Sequence, residues 1–192
     1  MRSKRFDTKT ICMIAIMAAL VFVGTNLRIK IPIGADGTML HLGNVFCLLG
    51  GLLFGGIPGG IAAGFGSALF DLFSEYAAEA WITLILKFIM GFAAGAVASI
   101  GARQEALLAE TGGKRSLFPV LGAVCGSVAY SVLYVVKTII MQRYVYFSPW
   151  EGVWAVVAVK AAVTFTNGLV AIVASVLLYY ALKPALKRAR II

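Results

Sequence analysis

Residues 81–101 read WITLILKFIMGFAAGAVASIG, a run whose only charge is Lys87. A helix needs about 20 apolar residues to cross the hydrocarbon of a bilayer about 30 Å thick. This stretch therefore reads as a membrane span, and its neighbours read the same way. Five more apolar stretches run from Thr10 to Leu27, Leu40 to Gly55, Gly59 to Phe73, Leu117 to Met141 and Val153 to Leu182. Ile57–Pro58 separates the second from the third, and both of these are short for a bilayer. A second arrangement folds those two as one re-entrant hairpin.

Composition points the same way. Hydrophobic residues make up 61% of the 192-residue chain, charged residues 13%, and the mean hydropathy is +0.94. Soluble domains carry roughly 25% charge, so a soluble fold of this chain would lack polar surface to cover itself. The fold class expected is an all-α integral membrane protein, one membrane domain over residues 1–192. Its six transmembrane helices lie at about 10–27, 40–55, 59–73, 81–101, 117–141 and 153–182. The basic start Met1–Lys9 resembles the head of a signal peptide, but the run after it is long enough to span and shows no cleavage pattern.

The net charge of +9 is a matter of orientation. Arg2, Lys4, Arg5 and Lys9 precede the first span, Arg103, Lys114 and Arg115 lie in the polar connection Ala102–Ser116, and Lys183, Lys187, Arg188 and Arg190 close the chain. With both termini cytoplasmic, these eleven of the 17 Lys and Arg fall inside, whereas Arg28, Lys30 and Arg143 fall outside, as the positive-inside rule requires. The expected location is the cell membrane. No basic stripe interleaved with polar loops suggests nucleic acid.

Ionisable residues within the spans carry the functional signal, because a charge at membrane depth usually faces a cavity or a partner. Lys87, Lys137 and Lys160 each fall roughly 6–10 Å below the outer end of a different span, counting 1.5 Å per residue. Asp71, Glu75 and Glu79 lie toward the same end, so internal ion pairing is the competing reading of the lysines. His41 and Asn44 open the second span beside the polar loop Arg28–Thr38, which could lie over a pocket. Asn167 adds a hydrogen-bonding group in the sixth. Trp81, Tyr144, Tyr146, Trp150 and Trp154, with Tyr134 deeper, form an aromatic set suited to an interfacial belt or to stacking on a flat ligand. Small residues four apart (Gly51/Gly55, Gly60/Gly64, Gly91/Gly95, Gly122/Gly126, Ala15/Ala19, Ala98/Ala102) let helix backbones approach closely.

Catalysis finds little here. Ser-His-Asp and HExxH sets are missing, and His41 has no second His or thiolate at ligand spacing, so neither a metal nor another cofactor is expected. Cys12, Cys47 and Cys125 each lie inside an apolar run and read as small buried hydrophobes. In Gly112-Gly113-Lys114-Arg115-Ser116 the earlier glycine of a phosphate loop is replaced by Leu108, so ATP is not expected to bind here. An intramembrane enzyme lacks a reactive constellation; a self-contained proton-coupled carrier using Asp71 and the lysines is the alternative to a partner-driven importer.

Several stretches together resemble a known family. These are TMLHLGNV at 38–45, GGLLFG at 50–55, GGIAAGFGSALFDL at 59–72, then Lys87 and Gly91. They resemble the substrate-binding S components of energy-coupling factor (ECF) vitamin transporters, in the riboflavin-type or hydroxymethylpyrimidine/pyridoxine-type branch. The resemblance implies six helices with cytoplasmic termini and high-affinity capture of a vitamin or precursor at the outer face. Capture would use the loop after the first helix and helices four to six, where Lys87, Lys137, Lys160 and Asn167 fall. It also implies docking on a transmembrane coupling subunit driven by two ATPases. An alanine motif in the first helix serves that docking, and Ala15 and Ala19 fit it. The substrate-binding residues expected are Lys87, Lys137, Lys160, Asn167, His41, Asn44, Asp71, Trp81, Tyr134 and Trp154. The lysines favour a substrate with an anionic group or an acceptor-rich ring.

Overall fold

At Gly55 (φ +86°) the chain turns between α2 (Gly43–Phe54) and α3 (Gly56–Leu72) with no linker residue to spare. A side chain is strained at that φ, so glycine makes the corner. Pro58 is therefore not the break expected at Ile57–Pro58; it sits in the first turn of α3, where its missing N–H costs nothing. Four further α-helices are found among the described residues of the computed structural model: α1 (Thr8–Asn26), α4 (Ala80–Leu108), α5 (Phe118–Ile140) and α6 (Trp150–Arg188). The structure describes residues 7–34, 37–108 and 117–189, and only the backbone of 102–108. Arg2, Lys4, Arg5, Lys114, Arg115 and Arg190, and the run at 112–116, lie outside the described residues, as does the Arg103 side chain.

Four helical segments are long and apolar enough to cross a membrane: Thr8–Asn26, Ala77–Gly101, Phe118–Val145 and Trp150–Arg188. The 12-residue α2 is too short to span in the same way. Apart from Phe46 and Phe54 its residues are buried, so neighbouring helices rather than lipid satisfy its surroundings. Helix α4 continues to Leu108, so residues 102–108 are helical rather than part of the expected loop. Helix α6 has 39 residues, about 58 Å at 1.5 Å per residue, and runs past the expected end at Leu182 with Pro184 inside it.

Glycines account for the close packing at the centre. A Cβ built on Gly91 of α4 would lie 2.7 Å from the carbonyl oxygen of Gly59 in α3, and one on Gly126 of α5 would lie 2.5 Å from that of Met90. Here the small residues let backbones touch, which gains dispersion contacts where lipid is as apolar as leucine. Leu48, Leu49, Met90, Ala94 and Ala123 fill the spaces around them. By contrast Ile11, Ile16, Leu20 and Val23 of α1 point outward. Cys47 is buried as expected, but Cys12 and Cys125 are exposed on the outer helix faces, where an apolar solvent makes burial unnecessary.

One element departs from the expected loop. Between α1 and α2 the chain forms an antiparallel hairpin, β1 (Arg28–Ile31) with β2 (Thr38–His41), paired Arg28 to His41 and Ile31 to Thr38. The pairing satisfies backbone groups that would otherwise lie bare at the mouth of the bundle.

Candidate substrate-binding cavity

The hairpin covers one end of the bundle, where α1 and α3 finish, α4 and α6 begin and α5 ends. Beneath it lies a small cavity of about 70 Å³. Every one of those helices contributes to its wall: Thr25 from α1, Ser67 and Asp71 from α3, Thr83 and Lys87 from α4, Tyr130 and Tyr134 from α5, and Thr164 and Asn167 from α6. Met39 and His41 of β2, with Tyr76 and Glu79 of the α3–α4 connection, close it.

Lys87 is the buried cation of this wall. Its ammonium donates a hydrogen bond to Asn44 Oδ1 of α2 and stands 3.8 Å from the centroid of the Tyr130 ring. An ammonium stripped of water needs such partners, and the ring's negative face supplies one of them. The Tyr130 and Tyr134 rings lie 5.7 Å apart along one face of α5. Together they make a partly aromatic wall next to a fixed charge.

Asn167 lines the cavity and also holds the hairpin. Its Oδ1 accepts from the His41 backbone N–H at 3.1 Å, and its Nδ2 donates to the Met39 carbonyl at 2.9 Å. The amide thus completes the ladder edge of β2 and ties the hairpin to α6. His41 lies in the hairpin, outside the helical spans, and its Nδ1 accepts from the Gly43 N–H at 3.1 Å. Burial, then the positive charges of Lys87 and Arg28, push the imidazole down to about 3, which keeps that acceptor available. On the outer side, Arg28 and Lys30 of β1 pair with Glu75 at 3.5 and 2.8 Å.

The three intramembrane lysines do not share one setting. Lys87 lines the cavity, whereas Lys137 Nζ lies 2.5 Å from Glu79 Oε2 in a largely enclosed ion pair. Lys160 is 1% exposed, packed within α6 and outside the cavity lining. Asp71, His41 and Tyr134 line it as the sequence reading places them, and Asn44 stands behind Lys87. Trp81 and Trp154 do not. They are 66% and 57% exposed on the outside of the bundle, with Tyr144 and Trp150, as an interfacial belt would be.

Several wall residues were not singled out from sequence: Thr25, Ser67, Thr83, Tyr130 and Thr164. Three of them could have been found, since Thr83 is four residues from Lys87, Tyr130 four from Tyr134 and Thr164 three from Asn167. Residues at those spacings share a helix face. Among the described residues no cluster of His, Cys, Asp and Glu could hold a metal.

Comparison with known proteins places this architecture. A solved structure described as the S component of a bacterial ECF transporter superposes with a TM-score of 0.59 at 20% identity, covering 93% of this chain and 98% of that one. That likeness concerns the fold. An uncharacterised protein of Pyrococcus woesei is 38% identical over 71 residues, 37% of this chain and 47% of that protein, so the match spans about half of its length. Residues 5–184 match the family model of the ECF-type riboflavin transporter S component, and the chain belongs to that family of membrane transport subunits.

Proposed function

We propose that this chain captures an uncharged, planar vitamin, riboflavin in the first place, in the cavity under the hairpin and delivers it inward from the outer face. Hydroxymethylpyrimidine and pyridoxine are the other members of the same chemical class. The carrying observation is the wall itself: Lys87 fixed between Asn44 and Tyr130, with Tyr134 beyond, beside hydroxyls from four helices. Tyrosine rings offer faces for a flat heterocycle, and the ammonium offers a donor to ring carbonyls or nitrogens.

The charges argue against an anionic substrate. Lys137 is engaged by Glu79, and Lys87 shares the cavity with Asp71. No surplus of cations remains in the lining to offset the desolvation of a phosphate or carboxylate. The unphosphorylated vitamin is therefore the expected ligand, and its phosphate monoester should bind at least tenfold more weakly.

Orientation follows from charge. Lys9 at the start of α1 and Lys183, Lys187 and Arg188 at the end of α6 lie at the end opposite the hairpin, which supports cytoplasmic termini and an outward-facing cavity. Ala15 and Ala19 are exposed on α1, next to Ile16 and Leu20, a smooth apolar strip suited to a transmembrane coupling subunit whose ATPases supply the energy.

The deciding experiment is mass spectrometry of the small molecule that copurifies with the detergent-solubilised protein, followed by titration with riboflavin, hydroxymethylpyrimidine and pyridoxine. Uptake into proteoliposomes should require the coupling module and ATP. Uptake by the chain alone would instead mark a self-contained carrier, and failure to bind any of the three vitamins would end the substrate reading.

A further inference from the structure

Glu79 occupies an unusual position. It ends the 3-10 turn Ala77–Glu79 between α3 and α4, and its side chain is only 12% exposed. One carboxylate oxygen, Oε2, holds Lys137 of α5. The other, Oε1, is buried and has no hydrogen-bond partner among the described residues, while Glu79 itself lines the cavity. A buried carboxylate oxygen without a donor is costly, because it has lost water and gained no partner. The neighbouring acid is better provided for, since Asp71 lies within hydrogen-bonding reach of Thr83.

We infer that Glu79 is a substrate-reading residue whose free oxygen accepts a hydrogen bond from an N–H or O–H of the bound ligand. Lys137 holds the carboxylate in place by its other oxygen, so the acceptor is aimed before the ligand arrives and little is lost in ordering it. Lys87 donates and Glu79 accepts. The cavity thus recognises a ring system that carries both an acceptor and a donor, and it rejects analogues in which the donor is alkylated or missing. A site built to bond a donor discriminates strongly against a ligand lacking one, because its own polar atom is then left unpaired. This inference rests on the proposed vitamin-binding role and adds the residue that would select within that class.

The test compares wild type with Glu79→Leu and with the double variant Glu79→Leu/Lys137→Met, which removes the acceptor and leaves no lone charge in the membrane. Riboflavin, pyridoxine and hydroxymethylpyrimidine are titrated against each purified protein, and melting of the ligand-free protein is followed in parallel. The expected result is at least a tenfold loss of affinity for the bound vitamin in both variants, with melting of the double variant within a few degrees of wild type. If Glu79→Leu fails to fold, the double variant decides alone. Wild-type affinity in the double variant would overturn the inference, because Glu79 would then serve only to neutralise Lys137. Binding by wild type together with that outcome spares the proposed function; no binding by wild type to any of the three removes both.

Discussion

A single ammonium concentrates the chemistry of this cavity. Lys87 is held by Asn44 and by the Tyr130 ring, so neither its cost of burial nor its direction is left open. Lys87→Met keeps the stem and removes the donor; vitamin affinity should fall more than tenfold, about 1.4 kcal/mol by titration, while expression persists. Loss of stability without loss of affinity would instead assign Lys87 to the core. Asn44→Leu acts one step further back. It leaves the ammonium without its oxygen acceptor and should lower the melting temperature of the ligand-free protein, in line with the roughly 1–3 kcal/mol cost of an orphaned buried donor. His41 makes a prediction of its own. The folded imidazole stays neutral down to about 3, whereas an unfolded one takes up a proton near 6.5. Between those values the unfolded state binds more protons, so stability is complete above pH 6.5 and declines as pH falls toward 3. Melting of His41→Gln should be flatter over that window than melting of wild type.

The hairpin and the packed helices make opposite demands on the chain. Strands β1 and β2 are four residues each and depend on outside attachments, because an isolated two-stranded hairpin is at best marginal. Asn167 ties the inner strand to α6, and Glu75 ties the outer strand to the α3–α4 connection. The expected consequence of Asn167→Ala is a looser cover, with ligand dissociation at least several-fold faster in stopped-flow release and a smaller change in the association rate. Helices α3, α4 and α5 instead require the absence of side chains. Gly126→Val would drive a methyl-bearing side chain into the Met90 carbonyl, and overpacking of this kind costs about 1–3 kcal/mol, readable as a lower melting temperature. The small-residue spacings of the packed helices were legible in the sequence, whereas the hairpin stretch read only as a polar loop. The alternation of basic and apolar residues in Arg28–Ile31, with Gly34 and Gly37 at positive φ behind it, is a hairpin signal that a stretch this short barely expresses.

At the scale of the molecule, the proposed binding and docking sites lie on different parts of the bundle. The cavity is at one end, and the exposed strip of α1 with Ala15 and Ala19 runs along the side. Ala15→Leu combined with Ala19→Leu should leave vitamin affinity unchanged and abolish copurification with the coupling subunit; a parallel loss of both would argue that α1 supports the cavity instead. The amino-acid sequence by itself determined the membrane environment, the apolar helical stretches and the family they form, because each is a matter of local composition and period. It also placed Lys87, Asp71, His41 and Tyr134 toward the end where the cavity lies. Only the tertiary structure decided which of three lysines lines the cavity, that Asn167 also clips the hairpin, that Trp81 and Trp154 look outward, and that Glu79 keeps an oxygen free among the described residues. Depth along a helix can be counted residue by residue, but rotation about its axis, and therefore which side chains meet, is set by the close contacts of glycine-lined helices far apart in the chain.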